Sequence, residues 1–352
     1  MKVLHVDLAP IFRGGQRQAL MLHRHLRQAG VDSLLAVAAG GRLQAKAMAD
    51  GVEGLRPLSV RALRSTTLSR LLAWPAMWRL LRRERPDVLH FHEPASLLYR
   101  PLAGTALTVQ TRRVSFPIKP SSVRLKYQPI DLHVAVSDEI AGYLRGLGLA
   151  PVHTVRSAID NGRFQGVPDP GPIGTPLRLL YIGAFHKMKG IEVLQQAFIE
   201  LAGAMNCSLD VVGDGELLAP FQAALQSAGL GERLRVHGYR EDTERYLGQA
   251  DVVLVPSTYG EGSNGMIKEA LAAGRPVIAS DLPCNGELIE HGRSGLLFRN
   301  GDAADLAARV LELAQGQWSL PPARLRAAAL GWADSAMGEA YLALYERYLA
   351  SR

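Results

Sequence analysis

The sequence predicts an α/β protein made of two doubly wound parallel-sheet domains facing across a cleft. Its 352 residues exceed one ordinary domain and fall short of three. Apolar runs of strand length alternate with longer helical-period segments from one end to the other. The runs are continuous in leucine and β-branched residues rather than strictly alternating, the mark of strands covered by helices on both faces. One proline- and glycine-rich stretch without any period, residues 164–176, interrupts the rhythm and reads as the linker.

In the first half a strand at 2–8 runs into a glycine turn and a helix at 16–29, which Gly30 ends. A strand at 32–38, a helix at 68–83 and strands at 87–91, 105–109 and 131–137 follow. A helix at 138–147 and a strand at 152–155 close the half. After the linker come a strand at 177–182, a helix at 190–203, a strand at 208–212 and a helix at 216–228. Strands at 234–236 and 251–255, a helix at 266–273, a strand at 276–279 and a helix at 302–314 complete the series. The expected domains are therefore 1–165 and 166–331, with a terminal helix in 332–352. Trp332, Met337, Tyr341, Leu344, Tyr345 and Tyr348 recur there at helical spacing, a stripe that the first domain is expected to cover. Ligands of doubly wound sheets bind outside the carboxyl ends of the strands, so the site is expected in the cleft between the halves.

Composition narrows the class. At 47% hydrophobic and 21% charged residues the chain has the profile of a packed protein, not a disordered one. Cys207 and Cys284 cannot form a disulfide framework and lack zinc-ligand spacing. The apolar stretch at the N-terminus is too short for a signal peptide, and the longest apolar run, 71–81, contains Pro75 and cannot span a bilayer. A soluble protein of a reducing, cytoplasmic compartment is expected. Forty Lys and Arg against 33 Asp and Glu leave +7, which favours anionic partners.

Several turns have the composition of ligand loops. Arg13-Gly14-Gly15-Gln16 opens the first helix, where glycine lets backbone amides approach a phosphate; the same pair equally serves a tight βα turn. The Gly213-Asp214-Gly215 turn shares that ambiguity and, lacking a third glycine, reads as structural. The strongest local pattern is Glu261-Gly262-Ser263-Asn264-Gly265-Met266, which leads into a helix carrying Glu269. Free amides at that helix start suit a diphosphate. Glu269 stands roughly 6 Å further along the axis, where it can accept from a ribose diol. Both carboxylates also read as ordinary helix-start residues. Lys187 and Lys189 sit at another strand-to-helix turn, an unfavourable end for cations unless they meet an anion.

His90 and His92, at i and i+2, face one side of a strand, but further ligands at metal spacing are not evident, so a metal site is not expected. His23 and His25 read as surface residues. Between 61 and 85 lie Arg61, Arg64, Arg70, Arg79, Arg82, Arg83 and Arg85, with Trp74 and Trp78 one turn apart. This suits an anionic membrane surface; the alternative packs the tryptophans in the core. A second basic stretch runs from Arg112 and Arg113 to Lys126. Its aromatics are too sparse for nucleic acid, and an acceptor carrying phosphate is the more economical partner.

Over nearly its whole length the chain resembles the retaining glycosyltransferases of family 4, which have the GT-B fold. The resemblance is carried by the E-x7-E pair Glu261/Glu269 in EGSNGMIKEALAAGRPVIASD, by RGGQRQAL, RPDVLHFHEP, AVSDEI and SAIDNGRF, and by IGAFHKMKG and VVGDGELL, all in order. It implies a nucleoside diphosphate sugar as donor, UDP- or GDP-linked, a glycan or lipid-linked acceptor, and no metal or other cofactor. Lys189 would bind the diphosphate with the amides of Gly15 and of Ser263, Asn264, Gly265 and Met266. Glu269 would hold the ribose, Glu261 the transferred sugar, and Gly238, Tyr239 and Arg240 would border the base. Gly14 and Lys187 at the donor, His92 as a candidate catalytic residue of the cleft, and the acceptor-side residues Arg112 and Arg113 complete the expected site. Three residues depart from the family pattern: Ala184 where an arginine is usual, Gln110 where a histidine is common, and Asn264 in place of a glycine. A nucleotide-sugar epimerase or hydrolase of the same fold, or a silent glycan-binding scaffold, are the alternatives. Synthesis of lipopolysaccharide or another surface polysaccharide, at the inner face of the cytoplasmic membrane, is the expected setting.

Overall fold

Two units of parallel sheet make up the chain in the computed structural model, which describes residues 1–60, 66–171 and 174–352. The first comprises Met1–Ala158 with Asp334–Arg352, the second Ile159–Ala333. In the first, β1 (Lys2–Asp7), α1 (Gly14–Gln28), β2 (Asp32–Ala38), α2 (Arg42–Ala49) and β3 (Leu55–Leu58) are followed by α3 (Thr66–Leu72), α4 (Trp74–Glu84), β4 (Val88–Phe91) and β5 (Leu107–Arg112). Then come α5 (Pro120–Ser122), β6 (Leu132–Ala135), α6 (Asp138–Gly146) and β7 (Val152–Thr154). The seven strands run in the order β3-β2-β1-β4-β5-β6-β7. Direction reverses between β1 and β4, whose register sets His5 beside His90, and this is where a doubly wound sheet opens a crevice.

The single helix expected over 68–83 is two. Ala73 separates α3 from α4, and Pro75 lies in the first turn of α4, where its missing N–H breaks no bond. Met77, Leu80 and Leu81 of α4 face the core while Trp78 and Arg82 face out. Arg61 and Arg64 of the basic stretch lie outside the described residues. His23 is not at the surface: it is fully buried, its Nδ1 with the Ser33 hydroxyl at 2.8 Å and its Nε2 with the Glu53 carbonyl at 2.8 Å.

The second unit runs β8 (Leu177–Ile182), α7 (Ile191–Ala204), β9 (Cys207–Val212), α8 (Leu218–Ser227), β10 (Leu234–Val236), α9 (Thr243–Leu247) and β11 (Val252–Val255). It continues through α10 (Gly265–Ala272), β12 (Val277–Ser280), α11 (Pro283–Gly286), β13 (Leu296–Phe298), α12 (Ala303–Ala314) and α13 (Pro322–Ala329). Its six strands are ordered β10-β9-β8-β11-β12-β13, with the reversal between β8 and β11. The unit starts earlier than the linker reading placed it. Ile159, Phe164 and Val167 are buried in its apolar core, so the boundary falls after Ala158 rather than after residue 165.

The terminal helix, α14 (Asp334–Ala350), belongs to the first unit. Met337, Tyr341 and Tyr345 are buried among Val3, Leu22, Leu26 and Val109. The Tyr345 hydroxyl meets His90 Nδ1 at 2.7 Å, and that of Tyr341 meets the Thr111 hydroxyl at 2.7 Å. Trp332, the first residue of the expected stripe, stays with the second unit, where its carbonyl accepts from the Ile159 amide at 2.9 Å.

Candidate active site

In the second unit the turns after β8 and β11, the two strands at the reversal, are tied together. The Thr258 amide donates to the Met188 carbonyl at 2.9 Å. Gly190, at φ +66°, passes so close to Pro256 that a Cβ there would lie 1.8 Å from its carbonyl oxygen; only glycine fits. The tie brings Lys189 Nζ to 2.5 Å from Glu261 Oε1, which also accepts from the Ser257 hydroxyl at 2.8 Å. A cation suited to a diphosphate and a carboxylate suited to sugar hydroxyls thus share one spot, 72 residues apart in sequence. Lys187 is exposed and is not drawn into this pair.

Asn264 caps α10, its side-chain oxygen accepting from the Met266 amide at 3.0 Å. The amide of Met266, expected to face a diphosphate, is therefore already engaged, and the departure at Asn264 is a helix cap. Gly265 is the first residue of the helix, and Ser263 receives a bond from Lys268 Nζ at 2.6 Å. Lys268 is wholly buried, with its ammonium 5.8 Å from the Trp332 ring. Glu269 is 8% exposed and accepts from the Thr243 hydroxyl at 3.1 Å. Gly238 has φ +68° and its carbonyl accepts from the Gly213 amide, while the Tyr239 ring is 60% exposed beside the exposed Arg240, free to meet a planar base. In the 213–215 turn packing requires glycine: a Cβ on Gly213 would lie 1.9 Å from the Gly183 carbonyl oxygen.

The first unit gathers a different set at its own reversal. Gly14 and Gly15 form the first turn of α1 itself, a turn that holds no acidic residue of its own. Gln16 folds back, accepting from the Arg13 amide and donating to the carboxylate of Asp7 at 3.1 and 3.2 Å. Asp7 is fully buried; burial, with Glu93 close by, raises its pKa to about 6. His92 Nε2 lies 2.9 Å from His5 Nδ1, and Arg113 Nη2 donates to His92 Nδ1 at 2.9 Å. Because a guanidinium only donates, His92 carries its proton on Nε2 and passes it toward His5. Burial holds His5, His90 and His92 well below the usual histidine range, so all three are neutral imidazoles.

His92, expected as a catalytic residue of the cleft, is a buried strut with both ring nitrogens engaged. Arg112 is 4% exposed and spends its guanidinium on the Tyr127 hydroxyl and the Phe116 carbonyl, so it braces the loop instead of meeting an acceptor. Gln110 is also buried, its side-chain oxygen 3.4 Å from His133 Nδ1. The ligand atoms of His5, His90 and His92 lie within 4.8 Å of one another. A cation there would compete with Arg113, Thr111 and Tyr345, since only His5 Nε2 lacks a partner. Nothing local in the sequence singles out His5, and for Asp7 the one signal is a charged residue closing an otherwise apolar first strand. Arg70, read with the basic surface stretch, is instead buried against Glu93.

Residues 12–163 match the family model described as Glycosyltransferase Family 4, and residues 176–316 the one described as Glycosyl transferases group 1. Phosphatidyl-myo-inositol mannosyltransferase of Mycobacterium leprae is 30% identical over 273 residues, 70% of this chain and 70% of that protein. Lipopolysaccharide core biosynthesis glycosyltransferase LpsD of Rhizobium meliloti is 26% identical over 365 residues, 100% of both. Among solved structures, Anabaena Alr3699/HepE in complex with UDP superposes with a TM-score of 0.84 over 99% of this chain and 100% of that one, at 16% identity. The same protein with UDP-glucose gives 0.82 over 100% of both.

Proposed function

Since this chain belongs to glycosyltransferase family 4, in its GT-B fold, we propose that it moves a sugar from a nucleoside diphosphate sugar to a glycan or lipid-linked acceptor with retention at the anomeric carbon. The observation that carries the reading is the Lys189–Glu261 contact at the sheet reversal of the second unit. A sugar diphosphate presents to such a pair an anion for the ammonium and hydroxyls for the carboxylate, side by side. Glu269 would take the ribose diol and Tyr239 the base. Relatives that act in lipopolysaccharide core synthesis, and the solved neighbour that binds UDP and UDP-glucose, support a nucleotide-linked donor and a cell-surface product.

In the reaction so read, the bond from the anomeric carbon to the diphosphate oxygen breaks while the acceptor oxygen bonds to the same face. The departing phosphate takes the acceptor's proton, which yields retention without a separate base. Lys189 offsets the charge that develops on the diphosphate, the task a metal ion performs elsewhere, so turnover proceeds without one. The reaction is placed at the inner face of the cytoplasmic membrane, held there by the basic surface of α4. A panel of UDP- and GDP-sugars, assayed in chelator with an acceptor extract, tests the proposal. Release of UDP or GDP from one donor is expected, reduced about 10²-fold or more in Lys189→Ala or Glu269→Ala. Release that needs no acceptor would favour a hydrolase, and no binding or turnover of any donor would sink the transferase reading.

A further inference from the structure

Lys268 stands where packing alone would place an apolar residue. It is the fourth residue of α10, wholly buried among Ile267, Ala270 and Leu271, and it brings a positive charge to the helix end that disfavours cations. An ammonium taken out of water is costly unless its protons find acceptors. One proton goes to the Ser263 hydroxyl at 2.6 Å, and the Trp332 ring lies 5.8 Å from the nitrogen. The first of these contacts has a direction. An ammonium has protons and no lone pair, so Ser263 Oγ accepts from it, and the single proton of that hydroxyl must point elsewhere. Among the described residues no acceptor takes that proton. Ser263 is half-buried, so a ligand can reach its hydroxyl while the ammonium behind it stays out of solvent.

The hydroxyl belongs to the turn that the donor reading already uses. Ser263 is two residues from Glu261, so their Cα atoms are no more than about 7 Å apart, and Glu261 is in contact with Lys189. The turn is also short of one donor, because Asn264 takes the Met266 amide at 3.0 Å. We propose that Lys268 is a positioning residue for the sugar donor: it fixes the Ser263 hydroxyl as a hydrogen-bond donor, and that hydroxyl meets an oxygen of the diphosphate held by Lys189. Lys268 touches neither the ligand nor the reacting atoms and acts through Ser263. The inference rests on the transferase reading above.

Three kinds of probe separate the parts: UDP and GDP, the nucleosides uridine and guanosine, and inorganic pyrophosphate, each titrated against the full chain by ligand-observed magnetic resonance. The nucleotide that the parent chain binds should bind about tenfold more weakly to Ser263→Ala, and severalfold more weakly to Lys268→Met, whose side chain is of similar size. Affinity for the matching nucleoside should stay within twofold in both, a split that general damage to the fold would not produce. The double variant should bind nucleotide no more weakly than Ser263→Ala, since Lys268 then has no hydroxyl to aim. Circular dichroism verifies folding, and Ser263→Ala, a change at a half-buried side chain, carries the test if Lys268→Met does not fold. Unchanged nucleotide affinity in either variant, or an equal loss of nucleoside binding, overturns the proposal. So does a double variant weaker than Ser263→Ala, which would make Lys268 an independent charge. A parent chain that binds pyrophosphate through Ser263 but neither nucleotide leaves the anion contact standing while the donor reading falls. Nucleotide binding indifferent to both variants sinks this inference alone, and a chain that binds none of the probes sinks both.

Discussion

Lys189 and Glu261 hold each other at 2.5 Å, so an arriving diphosphate competes with a carboxylate for one ammonium. Glu261→Gln removes the competitor while keeping a hydrogen-bonding side chain. UDP or GDP is therefore expected to bind severalfold tighter to that variant, while sugar transfer falls about 10²-fold with the lost contact to the sugar. Nucleotide affinity that drops in parallel with turnover would show that Glu261 supports the diphosphate and not the sugar. The buried imidazoles make a second prediction. His5, His90 and His92 are held well below 6.5 in the fold, and His23 and His133 near 4, all by burial first. The unfolded chain takes up their protons below about pH 6.5 and the folded chain does not, so stability falls as pH drops, toward about 1.4 kcal/mol per pH unit for each. Asp7, raised to about 6, acts oppositely: its cost is complete above pH 6 and is relieved as pH falls from 6 toward 4. With five groups against one, urea unfolding at pH 5 should show a loss of several kcal/mol relative to pH 7; a flat profile would sink the assignment. At this scale the sequence showed which residue types sit at strand ends, as at Lys189 and Glu261. It did not show that His92 and Arg112 turn inward, because burial of a polar side chain depends on partners such as His5 and Tyr127 that lie far away in the chain.

Helices and strands were legible where their pattern is long and local. The cores of β1, β2, β8, β9 and β11 fall inside the predicted runs because parallel strands covered on both faces are apolar without interruption. Two of the four edge strands were not: β3 is Leu-Arg-Pro-Leu, with a proline that only an edge tolerates, and β13 has three residues, whereas the edges β7 and β10 coincide with the runs at 152–155 and 234–236. The break at Ala73 was hidden because the apolar period continues across it. Two element-scale consequences are testable. Gly190 caps α7 with φ +66° against the Pro256 carbonyl, so Gly190→Ala must push apart the turns that carry Lys189 and Glu261. A stability loss of about 3 kcal/mol or more, together with weakened nucleotide binding, is expected from denaturation and titration. A variant as stable as the parent would contradict the close approach. On α14, Tyr345→Phe deletes the hydroxyl bonded to His90 Nδ1 and leaves a buried ring nitrogen alone, for about 1–3 kcal/mol. Leu344, which is only partly buried on the same helix, should tolerate alanine better; a larger loss there than at Tyr345 would mean that the hydroxyl network does not anchor the helix.

For the whole molecule the net charge of +7 matters less than where the arginines stand. Arg79, Arg82, Arg83 and Arg85 are exposed around the C-terminal half of α4, and Arg82 stacks on Trp78 at 4.8 Å. Trp78 is 44% exposed, so it does not join the core as the alternative reading had it, while Trp74 packs edge-on against Tyr99. Among the described residues no helix is long and apolar enough to cross a membrane, and attachment by α4 would have to be electrostatic with one aromatic anchor. Each basic residue near an anionic bilayer contributes about 1 kcal/mol, and the field decays within roughly 10 Å at 0.1 M salt. Vesicles of phosphatidylcholine with one third phosphatidylglycerol should therefore co-sediment the protein at 50 mM salt and release most of it at 300 mM. Pure phosphatidylcholine should retain little at either concentration. Reversing Arg79, Arg82 and Arg83 to glutamate is expected to weaken anionic-vesicle binding by at least 10²-fold without altering UDP or GDP affinity, because those residues lie in the first unit and the nucleotide contacts proposed here lie in the second. Arg83 also bonds Glu84, whose carboxylate Arg56 continues to hold when Arg83 is changed. Binding that is indifferent to lipid charge, or that survives the triple reversal, would place membrane attachment elsewhere on the chain, with the exposed leucines of α3 as the next surface to test.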